Sequence, residues 1–165
     1  MGELRPLSAP EPLTGHHQID GFDCGEKLLD DWLRRRALAN QASGASRVFV
    51  VCRGERVVGY YALATGAIAS SEAPGRLRRN MPDPIPVFVL GRLAVGRVEQ
   101  GNMLGSLLLR DAVLRTRAAA EFGGVAGLLV HALSEESKRF YLHHGFVDSP
   151  SSPLTLVARL KDFRG

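Results

Sequence analysis

Cysteine is nearly missing from this chain of 165 residues, with Cys24 and Cys52 the only two. They show no CxxC spacing, which excludes a disulfide-stapled scaffold and a cysteine-rich zinc site. Cys24 lies in a turn beside Gly25 with no base partner in view, so both thiols are expected to be structural, in a reducing, cytoplasmic setting. Lysine is almost as scarce: of 21 basic residues only Lys27, Lys138 and Lys161 are lysines, and the rest are arginine. No apolar run approaches the roughly 20 residues needed to span a bilayer, so no membrane partner is expected. The opening stretch MGELRPLSAPEPL is proline-rich and has no apolar segment of the secretory kind. Internal repeats and low-complexity tracts are absent as well.

What is present is a hydrophobic share of 45% and a formal net charge of +4. That composition suits one folded domain over residues 1–165, long enough to bury a core without staples. Arginine offers a planar fork of donors suited to phosphate. The basic balance permits a polyanionic partner, although G+C-rich coding raises arginine content equally well.

The chain is organised around Val89 to Arg110, VLGRLAVGRVEQGNMLGSLLLR. Phe88 to Val95 is apolar, rich in β-branched residues and bounded by turn formers, which predicts a strand. Gly96 to Gly101 reads as a loop. From Asn102, a candidate N-cap, an amphipathic helix is expected to run to about Ala120. A strand, a glycine-bearing loop and a helix N-terminus in that order make an anion site, because the first helical N–H groups lack internal partners.

Around this centre, residues 1–15 read as irregular or as a short edge segment. A helix is expected from about Glu26 to Gln41, with Leu28, Leu29, Trp32, Leu33, Ala37 and Leu38 on its apolar side and Arg34, Arg35 and Arg36 outward. Arg47–Arg53 and Val57–Ala64 read as a hairpin turning at Gly54-Glu55. Residues 66–86 read as a long loop or broken helix carrying Arg76, Arg78 and Arg79. Gly127 to Ala132 reads as a strand, then a helix from an N-cap at Ser134 to about His144, stopped by Gly145. Phe146-Val147, a Ser/Pro turn and Leu154 to Leu160 complete the chain. Adjacent histidines on a helix face apart, and neither His16-His17 nor His143-His144 has carboxylate or thiolate ligands at metal spacing in sequence; His131 reads as a satisfied core residue. No metal is expected.

Several stretches together resemble the GNAT acyltransferases, and within them the bacterial toxin branch that acetylates aminoacyl-tRNA. They are FDCGEKLLDDWL, SRVFVV, VVGYYALATG, LRRNMPDPIPVFVLGRLAV, QGNMLGSLLLRDA, LVHALSEESKRFYLHHGF and SPLTL, in the family's order along nearly the whole chain. The resemblance implies a single α/β GNAT-like domain, a mixed central sheet of about 6–7 strands flanked by about 4 helices. It implies that acetyl-CoA lays its pyrophosphate on the Q/R-x-x-G-x-G/A loop, here Gln100, Gly101, Asn102, Met103, Leu104 and Gly105. The backbone of Leu93, Ala94 and Val95 would bond the pantetheine as an added strand does. Tyr141, in FY-x-x-x-GF, would protonate the departing thiolate. Arg35, Arg36, Arg78, Arg79 and Asn80 would grip the tRNA. The resemblance further implies a small DNA-binding antitoxin of ribbon-helix-helix type and a homodimer.

The sequence departs from the pattern where the fourth motif position, usually glycine, is Met103, and where a position often acidic in the toxin branch is Gly96. Two other readings therefore stand beside the first: a GNAT enzyme acting on a protein or small-molecule amine, and a catalytically silent module that binds tRNA or a partner. Small cationic amines prefer acidic clefts, against which the basic balance weighs.

Overall fold

The computed structural model describes residues 5–163. Seven strands form a single mixed sheet: β1 (Glu11–Pro12), β2 (Arg47–Arg53), β3 (Arg56–Ile68), β4 (Ile85–Val95), β5 (Gly127–His131), β6 (Val147–Ser149) and β7 (Ser152–Arg159), in the order β1-β2-β3-β4-β5-β7-β6. The helices are α1 (Lys27–Arg35), α2 (Ala37–Ser43), α3 (Gly75–Arg78), α4 (Leu104–Ala120) and α5 (Glu135–His143). The β4–β5 pair is parallel; β1–β2, β2–β3, β5–β7 and β6–β7 are antiparallel. Among the described residues no helix is long and apolar enough to cross a membrane. Packing divides the chain into two compact units.

The first unit is the chain up to Leu63 together with Arg92–Asp111. Alternation along β2 and β3 sends Val48, Val50, Cys52, Tyr60 and Ala62 into a core with Leu29, Leu33 and Ala37 from the helices. The Tyr60 ring is fully buried, and its hydroxyl donates to the Leu29 carbonyl at 2.7 Å, which satisfies it. The single helix expected from Glu26 to Gln41 is instead two, broken at Arg36, whose φ of −121° is not helical. Just beyond the break, the Gln41 side chain accepts from the Val48 N–H and donates toward the Val48 and Leu13 carbonyls, which ties α2 to the start of β2. Leu28 and Leu38, expected on the apolar face, are exposed, and burial falls on Leu29, Leu33 and Ala37 at four-residue spacing. Trp32 is half-buried and packs against this core.

The expectation that His17 stands clear of carboxylate and thiolate is also corrected. Folding brings donor atoms of Glu11, His17 and Cys52 within 4.8 Å of one another. Both ring nitrogens are engaged within the chain: Nδ1 accepts from the Thr14 N–H at 2.9 Å and Nε2 meets the Glu11 carboxylate at 2.7 Å. These bonds tie Glu11, Thr14 and His17 to one another, while Ser8 and Leu13 hold the segment to β2 through their N–H groups, which donate to the Cys52 and Val48 carbonyls.

The second unit is Ala64–Gly91 together with the chain from Ala112 onward. Its core gathers Ile68, Leu77, Ile85, Val87, Leu129 and Val157. The loop expected at 66–86 is more ordered than its composition suggests, because β3 runs on to Ile68 and a turn and α3 follow. Ser149 Oγ donates to the Glu72 carbonyl at 2.6 Å and Asp83 caps the Ser70 N–H at 2.9 Å, tying the segment down. His131, expected in the core, is exposed at the end of β5 with Nδ1 3.0 Å from Thr155 Oγ1.

Candidate active site

β4 outruns its parallel partner. The β4–β5 ladder extends from Val87–Gly127 to Leu90–Val130, while β4 continues through Gly91 to Val95. Leu93, Ala94 and Val95 thus lie on strand backbone beyond that ladder, the arrangement an added strand of ligand amides requires.

The chain then turns into α4. Gly96 closes against β3, its N–H donating to the Val58 carbonyl at 2.8 Å; a Cβ there would meet that oxygen at 3.3 Å, a tight contact. Arg97–Glu99 forms a single 3-10 turn. Gly101 follows with φ 89° and Met103 with φ 63°. Asn102 is not the cap that the sequence suggested: α4 begins at Leu104, and its first helical bond runs from the Leu107 N–H to the Met103 carbonyl at 3.2 Å. The N–H groups of Leu104 and Gly105 precede that bond and lack intrahelical partners, so they suit an anion.

Glu99, which the sequence did not single out, holds this turn. Its carboxylate is buried and accepts from Arg53 Nε at 2.6 Å and Nη2 at 3.1 Å, a paired fork that holds its pKa below the usual carboxylate range. Asn102 adds a side-chain hydrogen bond to the same carboxylate. The Gln100 amide is used within the chain, donating to the Cys24 and Val95 carbonyls at 2.9 Å each. Gln100 and Asn102 therefore brace the loop with their side chains, leaving backbone to meet a ligand.

The left-handed backbone at Met103 gives the physical reason for a glycine at the fourth motif position. An L side chain there costs about 1–2 kcal/mol, and the methionine accepts this with its side chain 76% exposed. Met103→Gly is expected to stabilise the protein by about 0.5–1 kcal/mol after the extra freedom of the unfolded chain is counted, raising the thermal midpoint by about 1–4 °C. A lower midpoint would mean that contacts of the methionine side chain outweigh the strain.

In the second unit, Tyr141 is placed by the ends of its helix. Ser134 caps α5 by accepting from the Ser137 N–H in a reciprocal capping box, and Gly145 reverses the chain with φ 94°. The N–H groups of His144 and Phe146 then both donate to the Tyr141 carbonyl at 3.1 Å, folding the Phe146 ring edge-on to the Tyr141 ring at 5.5 Å. The FY-x-x-x-GF spacing is thus a device for closing the helix around its tyrosine. Tyr141 is 6% exposed, and burial raises its phenol above the ordinary value, so it stays protonated. The thiols are set aside as the sequence suggested: burial pushes Cys24 up to about 12 and Cys52 up to about 11.

Of the arginines, Arg34 is committed to the Phe22 carbonyl and Asp31, while Arg35 and Arg36 are exposed on the first unit. Arg78, Arg79 and Asn80 are exposed on the second, where Arg79 and Asn80 line a cavity of about 460 Å³. The sequence offered no hint of Arg92, whose guanidinium lies over the Trp32 ring, 4.3 Å from its centroid, while Trp32 stacks on Tyr60. The partners are far apart in the chain and carry no joint local pattern.

A mixed seven-stranded sheet whose parallel strand overruns its neighbour and passes through a glycine-bearing turn into a helix is the arrangement of a GNAT acyltransferase. No family model matches the chain, but individual proteins do. It is 54% identical over 157 residues to a tRNA-acetylating toxin of Mycobacterium tuberculosis (strain ATCC 25618 / H37Rv), covering 95% of each chain. It superposes on AtaT complexed with acetyl-methionyl-tRNAfMet with a TM-score of 0.88 at 29% identity, covering 94% of this chain and 96% of that one. Against an AtaT variant bound to the C-terminus of the antitoxin AtaR and acetyl-CoA the TM-score is 0.81 at 29% identity, covering 94% of each. The chain belongs to the tRNA-acetylating toxins of the GNAT superfamily.

Proposed function

We propose that this protein transfers an acetyl group from acetyl-CoA to the α-amine of aminoacyl-tRNA and so blocks translation. The observation that carries the reading is the 54% identity, along the length of both chains, to a tRNA-acetylating toxin. The cradle supports it: strand backbone at Leu93–Val95 for pantetheine, and the turn Gln100, Gly101, Asn102, Met103, Leu104, Gly105 for pyrophosphate.

The chemistry follows from the groups at hand. The α-amine of an aminoacyl ester is less basic than a lysine amine, so it is substantially neutral near pH 7 and needs no strong base. Its nitrogen attacks the thioester carbon while backbone N–H of β4 stabilises the oxyanion. The C–S bond breaks, Tyr141 gives its phenolic proton to the thiolate, and the proton lost by the new amide nitrogen restores the phenol through solvent. Arg35, Arg36, Arg78, Arg79 and Asn80 supply phosphate contacts for the tRNA. The protein acts in the cytoplasm as a homodimer, held in check by a small antitoxin of ribbon-helix-helix type.

Cell-free translation tests this reading. Synthesis should stop on adding the protein with acetyl-CoA and continue when either is left out. Arrest without acetyl-CoA would contradict the proposed transfer.

A further inference from the structure

The cavity in the second unit is lined by Arg76, Arg79, Asn80, Arg159 and Lys161. Four cations thus converge on one space of about 460 Å³, larger than a lone phosphate needs and within the range of pockets that hold small ligands. Asp162 is the carboxylate seen to answer them: it takes the Arg159 fork at 2.7 and 2.9 Å and lies 3.7 Å from Arg76 Nη1. Among the described residues no ion pair is found for Arg79 or Lys161. The wall that carries Lys161 is held in place, because Arg117 Nε donates to the Leu160 carbonyl at 2.9 Å.

We infer that this cavity binds a backbone phosphodiester of the substrate tRNA, with Asp162 as a built-in competitor for the guanidinium fork of Arg159. The inference rests on the proposed aminoacyl-tRNA substrate and adds Arg76, Arg159 and Lys161 to the residues that meet it. A carboxylate in bidentate contact with arginine shows what geometry the fork accepts, and a phosphate presents the same pair of oxygens. Ribonucleotide backbone, unlike a base edge, is recognised by charge and not by sequence, which suits an open cationic cavity.

The test is binding of uncharged tRNA, followed by fluorescence anisotropy across a salt series, for the native protein, Lys161→Ala, Arg76→Ala and Asp162→Asn. Lys161→Ala and Arg76→Ala should weaken binding several-fold, each flattening the slope of log K against log salt by roughly 0.7–0.9 for every phosphate left without its cation. Asp162→Asn should do the opposite and tighten binding several-fold, since it frees the Arg159 fork. A merely structural Arg159–Asp162 bridge predicts weaker binding in that variant, and that result would overturn the inference. So would native affinity and slope in all three variants from a protein that still acetylates charged tRNA, an outcome that leaves the proposed function standing. A native protein that neither binds nor acetylates tRNA would instead remove the function and the cavity's ligand together. Thermal melts of each variant separate loss of fold from loss of charge.

Discussion

Tyr141→Phe is expected to lower acetyl transfer by about 10²–10⁴, the usual contribution of a positioned general acid. The ring packing against Phe140 and Phe146 survives in phenylalanine, so the thermal midpoint should stay close to that of the native protein. Removing one oxygen therefore separates the chemical step from the fold. With Tyr141 as the proposed acid, the same residue bears on the pH profile. Burial raises the Tyr141 phenol above its ordinary value. A raised pKa keeps the acid in its protonated, donating form as pH climbs through the normal phenol range near 10. The rate should accordingly rise with pH as the substrate amine loses its proton and then level off, with no alkaline fall from Tyr141 below about pH 10. A variant as active as the native protein, or a fall beginning near neutrality, would assign the proton to another group.

The second large effect is expected at Glu99. Glu99→Gln keeps the shape of the side chain but removes the charge that pairs with the Arg53 fork and receives the Asn102 hydrogen bond. The turn bearing Gly101 and Met103 would lose the anchor that places its N–H groups, and misplacement by about 1 Å costs up to about 10²-fold in well-oriented systems. KM for acetyl-CoA should rise about 10–100-fold, with kcat at saturation falling far less. Because pairing with Arg53 depresses the Glu99 pKa, the bridge is intact at neutral pH and fails as pH falls through that lowered value, so the native protein should acquire the same KM defect only in acid. An unchanged KM in Glu99→Gln would show that the turn holds itself.

Much of this fold was legible because the signals are local. The β2–β3 hairpin, the Ser134 cap, the Gly145 stop and the strand–turn–helix order each depend on residues within one short stretch. The helix break at Arg36 carries no local signal, and the Gln41 amide that anchors α2 reaches Leu13 and Val48, outside the helix. Glu99 was missed because its partner Arg53 belongs to β2, far off in the chain, and nothing near Glu99 announces a buried carboxylate. Asn102 misled as a cap because cap preference describes an average helix, whereas here Met103 carries the entry into α4 in a left-handed conformation. The arginines at 76–79 were visible as charge, but only folding brings two of them to Arg159 and Lys161.

Acetyl transfer to charged tRNA is measured by incubating the native protein with acetyl-CoA labelled in the acetyl group and bulk aminoacyl-tRNA, then locating the label. Label is expected on the α-amine of the aminoacyl group, released with the N-acetyl amino acid when the ester to tRNA is hydrolysed, and lost with Tyr141→Phe. Label found only on protein or on small amines, or none on charged tRNA, would contradict the proposed transfer.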